Sequence, residues 1–307
     1  LAVEEVRACL GEVGPERVAR LRSRRLPAEA LPPGVLAGKQ VSDLLVPEAR
    51  SSMVDVAVAL GPVVAKAIRF ELGNLGISSR ERVSPRDGHP TRILAERIAR
   101  ALGVEAFELY LSPAWQGAAR VYPGDPPALV AATSFVELPE LEQAFALGRL
   151  LSRVALGFTF LDEISIEAAD GMLLAAMRTL DPGFFSGELT HPREQAAQQM
   201  LPAVNRAIGR RQRKQLEEIA GRVSAAYDPR SFTIGVRRSE YRIAYILSGD
   251  LLAAIDYLRR FDREIGRSTE EPRVLLQHPV TNEVMRYALT VDAYTERRRA
   301  GTVWAGI

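Results

Sequence analysis

The chain has 307 residues and a hydrophobic fraction of 47%, which is enough to bury a sizeable core in one large domain or two. Its formal net charge of +2 gives no overall attraction for nucleic acid or for an acidic membrane, so either partner would need a local patch. The single cysteine, Cys9, excludes an internal disulfide framework and a thiolate zinc site, and no apolar run reaches the roughly 20 residues that span a bilayer. We therefore expect a soluble protein of the cytoplasm.

The N-terminal part of the chain predicts helices that are interrupted by Pro and Gly. Apolar residues recur at helical spacing over residues 2–26 with a break at Gly14, so two short helices are expected there. A Pro/Gly linker follows over residues 26–38. Residues 51–72 then predict a nearly all-apolar helix, buried on several sides, in which Pro62 allows a kink.

The middle of the chain predicts a helix and three short strands. Pro90 suits the first position of an amphipathic helix that ends at Gly103. Turn-forming residues then separate three β-like runs at residues 107–111, 119–122 and 128–132, which predict a small antiparallel sheet. Because nearly everything after the third run has the helical pattern, the predicted fold class is α+β, predominantly α-helical.

The order of these elements carries a family resemblance. A helix over residues 96–104 leads into a strand, then into a hairpin over residues 118–137, and then into a helix over residues 138–157. This order is similar to that of gluzincin-type zinc metallopeptidases of the HtpX-like class, in which the last of these helices has the sequence F-V-L-A-H-E-L-G-H. Residues 145–153 of this chain have the sequence F-A-L-G-R-L-L-S-R, which keeps the apolar positions.

The residues that carry the family's chemistry are replaced in this chain. Arg149, Leu150 and Arg153 stand where the family has His, Glu and His. A zinc peptidase needs two histidines one helical turn apart as ligands and a glutamate beside them as the base. Arginine offers only hydrogen-bond donors, and leucine accepts no proton, so the resemblance implies a pseudo-peptidase with no catalytic residue, metal or cofactor. If the two arginines line the former cleft, they would favour carboxylate or phosphate groups.

The position of the family's third metal ligand has two possible matches. The family takes this ligand from a helix with the pattern E-x-x-A-D-R-A-G, often followed by a Gly-Asp turn, and residues 237–244 match it here. This alignment places Arg237 at the ligand position, and a register three residues later places Glu240 there. The likeness covers roughly residues 90–260. It extends to the degenerate peptidase-like region attached to large tetratricopeptide-repeat proteins of myxobacteria.

The histidine count gives a second argument against a metal site. The chain has three histidines, His89, His191 and His278, and each precedes a proline. No two of them lie within one helical turn of each other, so a His-Glu-x-x-His motif is impossible in this chain. Because proline suits the first helical position, we expect each histidine to mark the start of a helix.

Other catalytic patterns are weak or missing. The chain has no Gly-rich phosphate loop and no Gly-x-Ser-x-Gly motif, so nucleotide binding and serine hydrolase chemistry lack their usual residues. Paired carboxylates occur at residues 162–163, 217–218 and 270–271, but neighbours on a helix point in different directions and are usually solvated. Asp162 and Glu163 are expected in the first turn of a helix, where carboxylates favour the dipole.

The strongest local charge feature is a basic cluster. It consists of Arg206, Arg210, Arg211, Arg213 and Lys214. On one helix Arg206, Arg210 and Arg213 would share a face suited to phosphates or to an acidic protein surface. Glu217 and Glu218 follow at ion-pair spacing, so the first interpretation is a solvated, self-paired face, with a protein partner second and nucleic acid third. No interleaved aromatic residue supports base stacking.

Two smaller features have structural interpretations. The run Arg297-Arg298-Arg299 is expected to complement the dipole at the end of a helix. Trp115 and Trp304 are each expected to anchor a core or an interface.

The sequence divides into three predicted segments. Residues 1–85 form a helical N-terminal segment, residues 86–265 a peptidase-like central domain without the metal motif, and residues 266–307 a helical extension. The function that the resemblance implies is a non-catalytic interaction or scaffold module whose partner is another protein. The alternatives are a hydrolase with an unrecognised active site and nucleic-acid binding through residues 206–214.

Overall fold

The computed structural model describes residues 2–23 and 31–303, so residues 26–30 of the predicted linker and Trp304 lie outside the described residues. The helices of the N-terminal part are α1 (Ala2–Cys9), α2 (Pro15–Ser23), α3 (Lys39–Asp43), α4 (Met53–Leu60) and α5 (Val64–Ile68). A 3₁₀ turn over Gly61–Val63 separates α4 from α5, so the single helix predicted over residues 51–72 is divided at the position where Pro62 was expected to allow a kink.

Helix α6 (Pro90–Leu102) has the predicted boundaries. Its N-cap is His89, Pro90 is its first residue, and Gly103 ends it with a φ of 69°. A residue without Cβ adopts this left-handed conformation at little cost, so Gly103 is a favourable helix stop.

A three-stranded sheet follows α6. Its strands are β1 (Glu108–Ser112), β2 (Arg120–Tyr122) and β3 (Ala128–Ala132). β3 lies in the middle, antiparallel to β2 and parallel to β1. The sheet is therefore mixed, and the prediction of an antiparallel sheet is wrong for the β1–β3 pair. The β2–β3 hairpin is local, whereas β1 reaches β3 across residues 113–127, and no local pattern specifies the direction of that pairing.

The two faces of the sheet are covered differently. On one face Leu109 and Leu129 join the main core beneath the helices. On the other, Tyr122 packs with Phe70 and Trp115, and the rings of Trp115 and Tyr122 meet edge to face with centroids 5.9 Å apart. The expected anchoring role of Trp115 is therefore confirmed.

Most of the described chain after residue 139 is helical, as predicted. The helices are α7 (Glu140–Ala155), α8 (Ile166–Arg178), α9 (His191–Ala207), α10 (Arg210–Ile219), α11 (Pro229–Ser248), α12 (Leu251–Phe261), α13 (Arg263–Gly266), α14 (Val274–Gln277), α15 (Pro279–Ala288) and α16 (Val291–Ala300). The fold class is α+β with a predominance of helix. Within residues 2–23 and 31–303, no helix is long and apolar enough to cross a membrane.

The three histidines lie at helix starts, as predicted. His89 and His278 are the N-caps of α6 and α15, and His191 is the first residue of α9. The three histidines are therefore at the starts of three different helices.

Two pairs of helices pack closely at glycines. α7 lies on α11, where a Cβ on Gly148 would be 3.2 Å from the Ala244 Cα. α8 lies on α9, where a Cβ on Gly171 would be 2.6 Å from the Ala196 carbonyl oxygen. The distance between α8 and α9 at Gly171 is too short for a residue larger than glycine. The contact between α7 and α11 brings the arginines of α7 next to the charged residues of α11.

The main core crosses both predicted segment boundaries. Its buried members include Leu60 from the first segment, Leu150 and Ile246 from the second, and Met285 from the third. The boundaries predicted after residues 85 and 265 therefore do not separate independent cores.

Candidate functional site

Helix α7 presents two arginines on the same side. Arg149 and Arg153 are one helical turn apart, so their side chains project from one face of α7. Leu150, which lies between them in sequence, is buried in the core with 1% of its surface exposed. The residue that the sequence comparison predicted at the position of a glutamate base therefore packs in the core.

Arg153 is held by two carboxylates that come from different elements. Its side chain is almost fully buried, and its Nε donates to Glu240 Oε1 on α11 over 2.5 Å. Its Nη1 donates to the carboxylate of Asp162 in the turn before α8. We call Arg153, Glu240, Asp162 and Arg237 the ion-pair cluster. It joins α7, α11 and the turn before α8.

Burial and charge oppose each other at Glu240. Its carboxyl is completely buried, and burial raises its pKa above the ordinary value, against the attraction of Arg153 and Arg149. The two carboxylates raise the pKa of Arg153 despite its burial, so its guanidinium stays charged. The cluster is therefore a buried cation balanced by carboxylates.

Arg237 joins the cluster at its solvent side. Its Nη2 donates to the Leu161 carbonyl oxygen over 2.7 Å and lies 3.1 Å from Asp162 Oδ1. Its side chain is 44% exposed, so this pair is partly screened by water. Of the two matches to the family's third ligand position, Glu240 contacts Arg153 directly, and Arg237 reaches it through Asp162.

Arg149 makes a different set of contacts. Its Nη2 donates to the Ala119 carbonyl oxygen beside β2 over 2.9 Å, and its guanidinium carbon lies 5.8 Å from the Tyr241 ring centroid. Arg149 Nε and Glu240 Oε2 are buried without a hydrogen-bond partner in the described part of the chain. Arg149 therefore links α7 to the edge of the sheet and to α11.

Asp162 and Glu163 do not lie in the first turn of a helix, so this prediction is wrong. Helix α8 begins at Ile166, because the Ser165 side chain caps it by accepting from the Ala168 amide. Asp162 uses its carboxylate on Arg153 and Arg237 instead. These contacts explain why its pKa is lowered although burial acts in the opposite direction.

The ion-pair cluster cannot supply the ligands of a metal site. Arginine donors do not coordinate cations, and in the part of the chain that the structure describes no group of three His, Cys, Asp or Glu side chains converges. Arg153 is also enclosed and already paired with internal carboxylates, so the condition under which it would favour a carboxylate or phosphate ligand, a position lining an open cleft, is not met.

The basic cluster is divided between two helices. Helix α9 ends at Ala207, Ile208 is extended, and α10 begins after Gly209. Arg206 lies in the last turn of α9, and the other four cations lie in the first half of α10. The prediction that Arg206, Arg210 and Arg213 share one helical face is wrong, because the extended backbone at Ile208 breaks the helical register.

The predicted pairing of the basic cluster with Glu217 and Glu218 is also not formed. Arg213 donates to the Thr179 carbonyl oxygen over 3.0 Å, and Arg206 Nε donates to the Pro202 carbonyl oxygen. Across residues 2–23 and 31–303, no ion pair within 4.0 Å involves the basic cluster. We call the exposed members Arg206, Arg210, Arg211 and Lys214 the α9–α10 corner.

An open groove of about 1410 Å³ adjoins this corner. Its lining comes from the α3–α4 region, the segment after α6, the β2–β3 turn, the C-terminal end of α7, and α10. Arg211 and Gln215 are part of its wall, and the 46% exposed Val58 is part of its apolar surface. Arg149, Arg153 and Arg237 do not line it, so the groove and the ion-pair cluster are separate places.

A second buried charged network escaped sequence reasoning. Arg297 donates to the Tyr245 hydroxyl over 2.7 Å and to the Gly249 carbonyl oxygen over 2.6 Å, and its Nη1 lies 3.5 Å from Glu5 Oε2. We call this the α1–α16 clasp. All three arginines of the run lie in the last turn of α16, as predicted, but the Arg297 side chain is buried inside the clasp, whereas Arg298 and Arg299 are exposed.

The fold and these contacts define a predominantly helical α+β protein with an internal ion-pair cluster between α7 and α11. Comparison with protein-family models, with curated proteins and with solved structures finds no match to this chain.

Proposed function

We propose that this chain is a non-catalytic protein-interaction module of the cytoplasm, built on a degenerate metallopeptidase architecture that uses no metal or cofactor. The observation that carries the proposal is the buried contact between Arg153 and Glu240. These residues correspond to the second and third metal ligands of the gluzincin pattern when the register with Glu240 is used.

The contact supports the proposal because a guanidinium supplies the positive charge that a metal ion would supply. A buried carboxylate is costly unless a cation neutralises it. Here Arg153 neutralises Glu240 permanently, and a divalent ion at the same place would be repelled by the guanidinium. The register with Glu240 is favoured for the same reason, since the alternative residue Arg237 would add a further positive charge.

The size of the groove supports an interaction role. Small-molecule sites typically occupy about 300–1,000 Å³, whereas this groove has about 1410 Å³ and opens to solvent. A segment of another protein matches such an extended surface better than a small substrate does.

The first test is metal content and peptidase activity. Protein purified without a histidine tag is analysed for zinc by mass spectrometry and incubated with unfolded casein and with a fluorogenic peptide. We expect far less than one zinc per chain and no cleavage above a heat-treated control. Stoichiometric zinc together with cleavage that a chelator abolishes would contradict the proposal.

A second test restores the family motif. The variant R149H/L150E/R153H removes the internal cation and places two imidazoles near Glu240. We expect it to bind one Co²⁺ with a tetrahedral absorption spectrum and to gain thermal stability when Zn²⁺ is added, because metal binding stabilises the folded state.

The matched control is the same variant with E240A, which should lose most of the metal affinity. Circular dichroism before titration establishes that each variant is folded. A folded triple variant that binds no more metal than the wild type would remove the assignment of Glu240 to the third ligand position.

A further inference from the structure

The α9–α10 corner carries positive charge that the protein itself does not neutralise. Its four cations are exposed, and none forms an ion pair within the described ranges, 2–23 and 31–303. Elsewhere arginines are commonly paired, as in Arg82 with Glu108 and Arg178 with Glu194. The first turn of α10 contains no acidic residue, so the positive end of the helix dipole adds to the same potential.

The corner continues into the groove. Arg211 belongs to both, and Gln215 extends the same face of α10 along the groove wall. Beyond them lie apolar side chains, including the exposed Val58 and the partly buried Val154. An anionic group held at the corner would therefore be followed directly by an apolar surface.

We propose that the α9–α10 corner and the groove together bind an extended peptide segment of a protein partner, with acidic residues at the corner and apolar residues in the groove. This inference rests on the proposed interaction function and names the chemistry of its partner. A peptide fits better than nucleic acid because, among the described residues, no aromatic side chain lines the groove for base stacking, and the net charge of the chain is only +2.

The experiment selects ligands from a random twelve-residue peptide library displayed on phage, with the full chain as bait. We expect enriched peptides in which Asp or Glu residues precede apolar ones. Dissociation constants of the best peptides are then measured by fluorescence anisotropy. R211E/K214E should weaken binding by at least about 10-fold, since two attractive pairs become repulsive. V58D should weaken it through the groove.

The matched control is R80E/R86E, which makes the same change in net charge at exposed arginines outside the corner and should leave binding little changed. All variants alter exposed side chains, and circular dichroism verifies their folding. The inference is overturned if no peptide is enriched, if the enriched peptides lack acidic residues, or if R211E/K214E binds them as the wild type does. It is also overturned if a twelve-nucleotide oligothymidine binds as tightly, with affinity that falls steeply with salt.

These outcomes are separable from the proposed function. Zinc-dependent cleavage would end the non-catalytic assignment whatever peptides bind. Peptides that bind independently of Arg211 and Lys214 would move the surface elsewhere and leave the interaction role intact.

Discussion

Arg153 shows how a single side chain determines what the centre of this protein can do. It brings a permanent positive charge into a buried position, and Glu240 and Asp162 share that charge from two other elements. Such pairs add little net stability compared with a well-packed apolar alternative, but breaking one partner is costly. The contact therefore holds α7, α11 and the turn before α8 together and does not serve to bind a ligand.

Replacing Arg153 with methionine should destabilise the fold by about 3–5 kcal/mol, because Glu240 is left buried without its cation. Urea unfolding followed by circular dichroism measures the change. The control is R153M/E240M, which removes both charges and should recover most of the loss. A double variant as unstable as R153M would show that packing, and not the uncompensated carboxylate, sets the cost.

Asp162 should make the stability of the fold depend on pH in the acidic range. Burial opposes the effect, but the charges of Arg153 and Arg237 lower its pKa below the ordinary 3.8. A lowered folded-state pKa contributes stability that is complete above about pH 4 and is lost as the pH falls through the folded-state pKa. D162N should therefore be less stable than the wild type at pH 7. The difference between their urea midpoints should become smaller toward pH 3. A gap in urea midpoint that does not change with pH would contradict this.

At the scale of elements, close helix packing depends on single glycines. A Cβ at Gly171 would lie 2.6 Å from the Ala196 carbonyl oxygen. Helices α8 and α9 pack closely there, so moving them apart would cost packing energy. G171A should destabilise the protein by about 1–3 kcal/mol through overpacking. The control is G221A, where a Cβ meets nothing within 4 Å. Thermal unfolding compares the two, and an equal loss in both would show that the α8–α9 contact is not tight.

The elements themselves were largely predictable, because their signals are local. Helix α6 starts at Pro90 and stops at Gly103 as expected, and β3 has the predicted bounds. The direction of the β1–β3 pair was not predictable, since it depends on contacts across the sheet. The break at Ile208 also escaped prediction, because Arg206, Arg210 and Arg213 keep helical spacing across it, although Gly209 is a possible helix stop.

One part of the candidate site was predictable from local sequence, and the other part was not. Helical spacing alone puts Arg149 and Arg153 on one face of α7. Arg153 contacts Glu240, which lies 87 positions away, and Arg149 contacts Ala119, which lies 30 positions away. No local pattern links either arginine to its partner. The helix end at Arg297 was predictable, whereas its buried contact with Glu5 was not, because no local pattern links two residues so distant in sequence.

At the scale of the molecule, the main core and buried charged networks connect distant segments of the described chain. The ion-pair cluster joins the middle, and the α1–α16 clasp joins the first described helix to the last. R297M should therefore loosen α1 as well as α16. We expect faster cleavage of α1 at Arg7 by trypsin in R297M than in the wild type, whereas R298M, at an exposed position, serves as the control and should cleave at the wild-type rate.

The clasp also has a consequence for how this chain is made. Glu5 leaves the ribosome long before its clasp partner Arg297 is synthesised. At about 5–20 residues per second, the first helix waits on the order of 15–60 s for this partner during translation. Until α12 is made, the buried face of α1 also lacks its contacts with Leu251 and Arg259 and is available to chaperones.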